Sequence, residues 1–171
     1  MKIEVPLENG LLPDRFGKFC AAVDTREGCA TRSFPITVSD VPADAQSLAL
    51  TFLDWDAIPV GGFCWIHWTA CDLDPHVGLV PENASVDESV RMTQGRNSYW
   101  SPFGGGHTDP RVIFRYAGPK PPDATHEYTL SVFAVDRVLG LDEGFYLNEL
   151  RRALRGHVIE RVDVALPSRA R

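Results

Sequence analysis

Apolar residues run almost unbroken from Leu48 to Leu53 (LALTFL) and again from Phe63 to Cys71 (FCWIHWTAC). Between them lie Asp54, Asp56, Pro59, Gly61 and Gly62. Two β-prone runs around a Pro/Gly break predict neighbouring strands. Glu127 to Val135 alternates with β-branched and aromatic residues and predicts a third strand. His157 to Leu166, with Val158, Val162, Val164 and Leu166 on one side, predicts a final one. Leu147 to Leu154 (LNELRRAL) is the one strong helix pattern, because Leu147, Leu150 and Leu154 recur at three and four residues. Gly156 is expected as its C′ stop. Thr31 to Val38 reads as extended, with Phe34-Pro35-Ile36 an edge strand because proline donates nothing to a ladder. Val112 to Tyr116 reads as a short strand. Residues 1 to 19 read as irregular or edge structure, and the Pro- and Gly-rich stretches elsewhere as loops. Gly95 to Asp109 is the longest of these and carries Tyr99, Trp100 and Phe103. Many strands with one solid helix predict a mainly β, mostly antiparallel protein.

Composition narrows this without redirecting it. The chain has 171 residues, enough for one domain with a real core, and 1–171 is expected to be a single domain. Its composition, 44% hydrophobic and 23% charged, is that of a globular protein. No window approaches the roughly 18 unbroken apolar residues of a membrane span. The N-terminal residues carry charges and prolines where a signal peptide needs an apolar core, so a cytoplasmic protein is expected. Seventeen basic against 23 acidic residues give a net charge of −6. That argues against broad nucleic-acid binding, which needs a basic face. Cys20, Cys29, Cys64 and Cys71 form no CxxC pair and no zinc spacing, so free thiols and no cofactor are expected.

Three clusters carry candidate chemistry. Asp54 and Asp56 end the first strand beside a proline turn, where one can cap the turn and the other can orient a histidine or meet a ligand. In Trp65-Ile66-His67-Trp68, regular alternation puts Trp65 and His67 on one face and Ile66 and Trp68 on the other. In His126-Glu127-Tyr128 the imidazole and phenol share a face, and together they make a donor pair for an oxyanion. Asp54, His67 and His126 are also a conceivable metal set, but no HExxH-type spacing supports it. No GxSxG elbow and no phosphate-loop pattern accompany the serines or Gly104-Gly105-Gly106.

Taken together and in order, these motifs resemble the phosphatidylethanolamine-binding protein family, which includes the Raf kinase inhibitor protein and many bacterial relatives. Asp54-Trp55-Asp56-Ala57-Ile58-Pro59 resembles the family's DPDAP, with Trp55 for the first proline and Ile58 as an extra residue. Trp65 to Trp68 matches WxHW. Gly118-Pro119-Lys120-Pro121-Pro122 followed by His126-Glu127-Tyr128 resembles GPxPP…HRY. Gln94 to Asn97, Leu130 to Asp136 and Ala153 to Val158 add weaker likeness, and the whole spans about residues 36 to 165. The resemblance implies a large antiparallel sheet packed with a smaller one, with short peripheral helices including one near the C-terminus. It also implies a small anion pocket holding Asp54, Pro59, Trp65, His67, His126 and Tyr128, with Gly118 to Pro122 as a wall. His67, Tyr128 and turn amides would donate to the anion, and Asp54 would hold His67 or another donor in place. Three departures stand out. Glu127 replaces the usual arginine, so a structural ion pair should be lost. Lys120 replaces a frequent cysteine and adds charge at the mouth. The longer Ser98–Arg115 stretch makes Trp100, Phe103 or His107 a lid or homodimer contact.

The reading that follows is a non-enzymatic binding protein for phosphate, phosphoethanolamine or a similar phosphorylated molecule or lipid headgroup. A regulatory inhibitor of a kinase or protease, as eukaryotic relatives are, is the first alternative. A metal-assisted hydrolase is the second.

Overall fold

The apolar runs pair largely as their patterning predicts. A computed structural model describes residues Met1–Arg171. In chain order the strands are β1 (Lys2–Glu4), β2 (Thr25–Arg26), β3 (Cys29–Ala30), β4 (Ile36–Ser39), β5 (Ser47–Asp54), β6 (Trp65–Leu73), β7 (Leu79–Val80), β8 (Thr93–Gln94), β9 (His126–Val135) and β10 (Val158–Ser168). The short helices are α1 (Ile58–Gly61), α2 (Ala84–Asp87), α3 (Pro110–Ile113) and α4 (Leu147–Ala153). No helix is long and apolar enough to cross a membrane.

A five-stranded antiparallel sheet runs β10-β9-β5-β6-β8, and a three-stranded sheet runs β1-β4-β7. Strand β5 is central in the large sheet, and all eight of its residues are buried. This explains its nearly continuous apolar sequence, since both of its faces are covered. Leu48, Leu50 and Phe52 face the main core with Leu130, Val132 and Trp68, where Ile3, Ile36, Val38 and Val80 of the small sheet meet them. Ala49 faces the other way, into a second cluster with Cys71, Val135, Phe145, Leu150 and Leu154 beneath α4. Helix α4 and its cap residue therefore cover the outer face with Leu150 and Leu154, two of the three leucines its sequence pattern singled out. The Tyr146 N–H donates to Glu149 Oε2 at 2.7 Å and caps its start.

Four local expectations change. Val112 to Tyr116 does not form a strand. Asp109 accepts from the Arg111 N–H at 2.9 Å and Pro110 opens a helical turn, so capping overrides the β-branched residues. Pro35 lies just before β4, and β4 is the central strand of its sheet rather than an edge. Gly156, with φ +75°, follows the Leu154 cap by two residues and shapes the turn into β10 instead of serving as C′. The fourth change concerns β6. Phe52 pairs with Trp68 and Leu53 with Ile66, so one step along β5 spans two along β6 and His67 is the extra residue of a bulge. Alternation breaks there, and His67 and Trp68 come to the same side. Trp68 joins the core, and its Nε1–H donates to buried Gln94 Oε1 at 2.8 Å.

Candidate functional site

Three strand ends converge at one margin of the large sheet. Asp54, the last residue of β5, pairs in register with Trp65, the first of β6, and with Tyr128 of β9. Cross-strand partners stand about 4.5–5.5 Å apart at Cβ, so sheet register alone places these side chains in one row. The bulge adds His67, and β9 begins with His126 beside Tyr128. Around this row the β5–β6 connection supplies Ala57, Val60 and Gly61. The 117–123 turn supplies Lys120 and Pro122, and the long loop supplies Tyr99. Together they enclose a cavity of about 260 Å³. That is slightly below the roughly 300–1,000 Å³ of drug-sized sites, and it suits a small molecule or a headgroup.

The polar groups divide into those already committed and those left free. His126 is buried, with Nδ1 2.8 Å from Asp54 Oδ2 and Nε2 2.9 Å from Asp123 Oδ1. Carboxylates only accept, so both ring nitrogens carry protons and the ring is an imidazolium. Burial works against that charge, but the bonds to Asp54 and Asp123 outweigh it and raise the pKa above the ordinary 6.5. The other Asp54 oxygen accepts from the Ala57 N–H at 3.1 Å. Asp54 therefore holds His126 rather than His67. The His67 Nδ1–H donates to the Ala117 carbonyl at 2.6 Å, and burial pushes its pKa down to about 4, so it is neutral near pH 7. Two groups of the cavity wall remain unsatisfied. The Tyr128 hydroxyl and Trp65 Nε1 are buried and have no hydrogen-bond partner. Burial and then the Asp54 carboxylate push the Tyr128 pKa up, so its phenol stays protonated.

Of the residues expected at the pocket, Asp54, Trp65, His67, Pro122, His126 and Tyr128 line the cavity. Pro59 and Gly118 do not. Pro59 lies within exposed α1 and sets its first turn. Gly118 packs away from the cavity, where a Cβ would come within 2.3 Å of the Phe16 carbonyl oxygen, so the glycine serves the turn's seating on the N-terminal segment. Asp56 is not in the wall either; it accepts from the Glu127 N–H at 2.8 Å and ties α1's approach to β9. Glu127 itself is exposed. From the long loop the cavity takes Tyr99 rather than Trp100, Phe103 or His107. Trp100 packs on Tyr146, His107 packs on Tyr99 and bonds Glu27 at 2.8 Å, and Phe103 is 87% exposed. Sequence reasoning missed Ala57, Val60, Gly61 and Tyr99 as wall residues. Val60 and Gly61 lie in the motif's own turn, which was the available signal. The set Asp54, His67 and His126 offers no common point for a metal, because both His126 nitrogens face carboxylates and His67 Nδ1 faces a carbonyl. No group of three or more His, Cys, Asp or Glu side chains is arranged to hold a metal ion.

The family model described as "Phosphatidylethanolamine-binding protein" matches residues 3–168. The chain belongs to the phosphatidylethanolamine-binding protein family. It is 47% identical over 161 residues to the uncharacterized protein YxkA of Bacillus subtilis, covering 94% of this chain and 95% of that one. A UPF0098 protein of Chlamydia pneumoniae is 34% identical, covering 76% of this chain and 77% of that one. Among solved structures, the phosphatidylethanolamine-binding protein homologue CT736 of Chlamydia trachomatis superposes with a TM-score of 0.72 at 30% identity, over 92% of this chain and 88% of that one. Escherichia coli YbcL shares the fold, with a TM-score of 0.77 at 21% identity over 99% and 98% of the two chains. In this member of the phosphatidylethanolamine-binding protein family, the WxHW motif has two distinct parts. Trp65 and His67 face the cavity, while Trp68 with Gln94 and Ser85 forms a buried polar network behind it.

Proposed function

We propose that the protein is a non-catalytic binding protein whose strand-end cavity takes a small phosphate-bearing anion. The observation that carries this reading is that two residues lining one cavity, Tyr128 and Trp65, each hold a buried donor without a hydrogen-bond partner, Oη and Nε1. A buried donor left unpaired costs about 1–3 kcal/mol, and an oxyanion between the two removes that penalty. Lys120 supplies a cation at the same cavity. The family's name supports a phosphate-bearing ligand, from free phosphate or phosphoethanolamine to a lipid headgroup. The free cysteines suit a cytoplasmic setting.

Calorimetric titration of wild type and His67→Ala with inorganic phosphate, phosphoethanolamine and zinc tests the proposal. Saturable binding of a phosphate compound, weakened in the variant, is expected; heat with zinc alone would transfer the site to metal chemistry. A second reading, regulation of a kinase or protease through contact, is favoured by Phe103, 87% exposed at the tip of its loop. Capture of such a partner undiminished by Phe103→Ser would remove it.

A further inference from the structure

His67 presents an acceptor to the cavity. Its Nδ1–H is committed to the Ala117 carbonyl at 2.6 Å, so the atom left for the cavity is an unprotonated Nε2. The burial that lowers the His67 pKa keeps it that way at neutral pH. The groups facing the ring come from every neighbouring element. Asp54 comes from β5, His126 and Tyr128 from β9, Tyr99 from the long loop and Lys120 from the 117–123 turn. Asp123 stands behind His126. The charges cancel, with Asp54 and Asp123 against the imidazolium of His126 and the ammonium of Lys120.

A doubly ionised phosphate monoester would set lone pair against lone pair at Nε2 and bring two charges to a site with no net positive charge. The singly ionised form fits differently. Its O–H would donate to His67 Nε2, and its remaining oxygens would accept from the Tyr128 hydroxyl and the Trp65 indole N–H. We infer that the pocket selects the singly ionised, O–H-bearing form of a phosphate monoester, with His67 as the residue that reads that proton. This rests on the anion-pocket reading and narrows it. The headgroup phosphate of an intact phosphatidylethanolamine is a diester and carries no such O–H. The ligand class is therefore free phosphate or a monoester such as phosphoethanolamine.

The test is calorimetry on the wild-type protein between about pH 5 and 8 with methyl phosphate, methylphosphonate and dimethyl phosphate. Above the second ionisation of methyl phosphate, near pH 6 for a phosphate monoester, Kd should rise about tenfold per pH unit, because each unit removes about nine-tenths of the competent form. For methylphosphonate, which ionises at higher pH, the break should move up with the ligand. Dimethyl phosphate, equally charged but without an O–H, should bind at least about tenfold more weakly at the acid end, as a diester headgroup would. His67→Gln, whose amide donates as well as accepts, should flatten the profile; if that variant does not fold, the wild-type profiles decide alone. A Kd independent of pH would overturn the inference. So would a break at the same pH for both methyl phosphate and methylphosphonate, which marks titration of His126, or dimethyl phosphate binding as tightly as methyl phosphate. If none of the three binds at any pH, the anion-pocket reading itself fails.

Discussion

Replacing Asp54 by Asn removes one charge from the buried pair and leaves the shape of the side chain almost unchanged. The amide oxygen can still accept from the Ala57 N–H, as Oδ1 does now. Its NH₂ then faces the His126 Nδ1–H, donor against donor. The imidazolium loses a buried carboxylate at 2.8 Å and keeps only exposed Asp123. A hydrogen bond to a charged group contributes about 1.5–3 kcal/mol. For a domain of this size each kcal/mol corresponds to about 2–4 °C in Tm, so a fall of about 3–12 °C is expected at low pH. The pH dependence has a definite sign. The folded pKa of His126 is raised above its unfolded value, so its contribution is full below about pH 6.5 and is lost as pH rises through the folded value. Asp54→Asn should therefore cost most near pH 5.5, where carboxylates are ionised, and less near pH 9.5. Urea unfolding at both pH values measures this, and proton NMR of His126 should show its pKa falling in the variant. An equal loss at both pH values, or an unmoved His126 pKa, would refute the assignment.

Tyr128→Phe deletes a hydroxyl that has no partner, so unfolding should show stability unchanged or slightly raised, while calorimetry should show phosphate affinity down by about tenfold. Gln94→Leu leaves the Trp68 indole N–H and the Ser85 O–H without an acceptor, although Ser85 Oγ still accepts from the Tyr116 N–H, and should cost about 3 kcal/mol in urea unfolding with phosphate affinity intact, because neither partner lines the cavity. Leu150→Ala removes the fully buried anchor of α4 and should cost about 2–5 kcal/mol, with faster amide exchange confined to α4 and its contacts with β5 and β6.

The strands were legible because burial writes itself into sequence. Strand β5 is covered on both faces and is apolar throughout, and β10 is covered on one and alternates. The helix α4 was legible because its leucines follow one face. The 112–116 error has the opposite cause, since Val112, Ile113 and Phe114 carry strand propensity but Asp109-Pro110 fixes a helical start upstream. At the cavity, the lining residues Asp54, Trp65, His67, Pro122, His126 and Tyr128 lie in the sequence motifs, whereas their partnerships are not encoded there. Asp54 meets His126 across 72 positions, a consequence of β5–β9 register that no local pattern encodes. The role of His67 depends on a bulge that exists only relative to β5. Tyr99 enters the wall because buried Asn97 donates to the Val112 and Arg115 carbonyls and caps the turn that carries it, an arrangement with no periodic signature.

The measurement that tests the anion pocket most directly follows the tryptophan indole N–H resonances by ¹H–¹⁵N NMR during addition of phosphate or phosphoethanolamine. Trp65 has a buried indole N–H with no acceptor, whereas Trp68 already donates to Gln94 at 2.8 Å. The account predicts a saturable downfield shift of the Trp65 indole proton as it gains an acceptor, with the Trp68 resonance unmoved. A Trp65 resonance that stays in place at saturating concentrations of both compounds would contradict it.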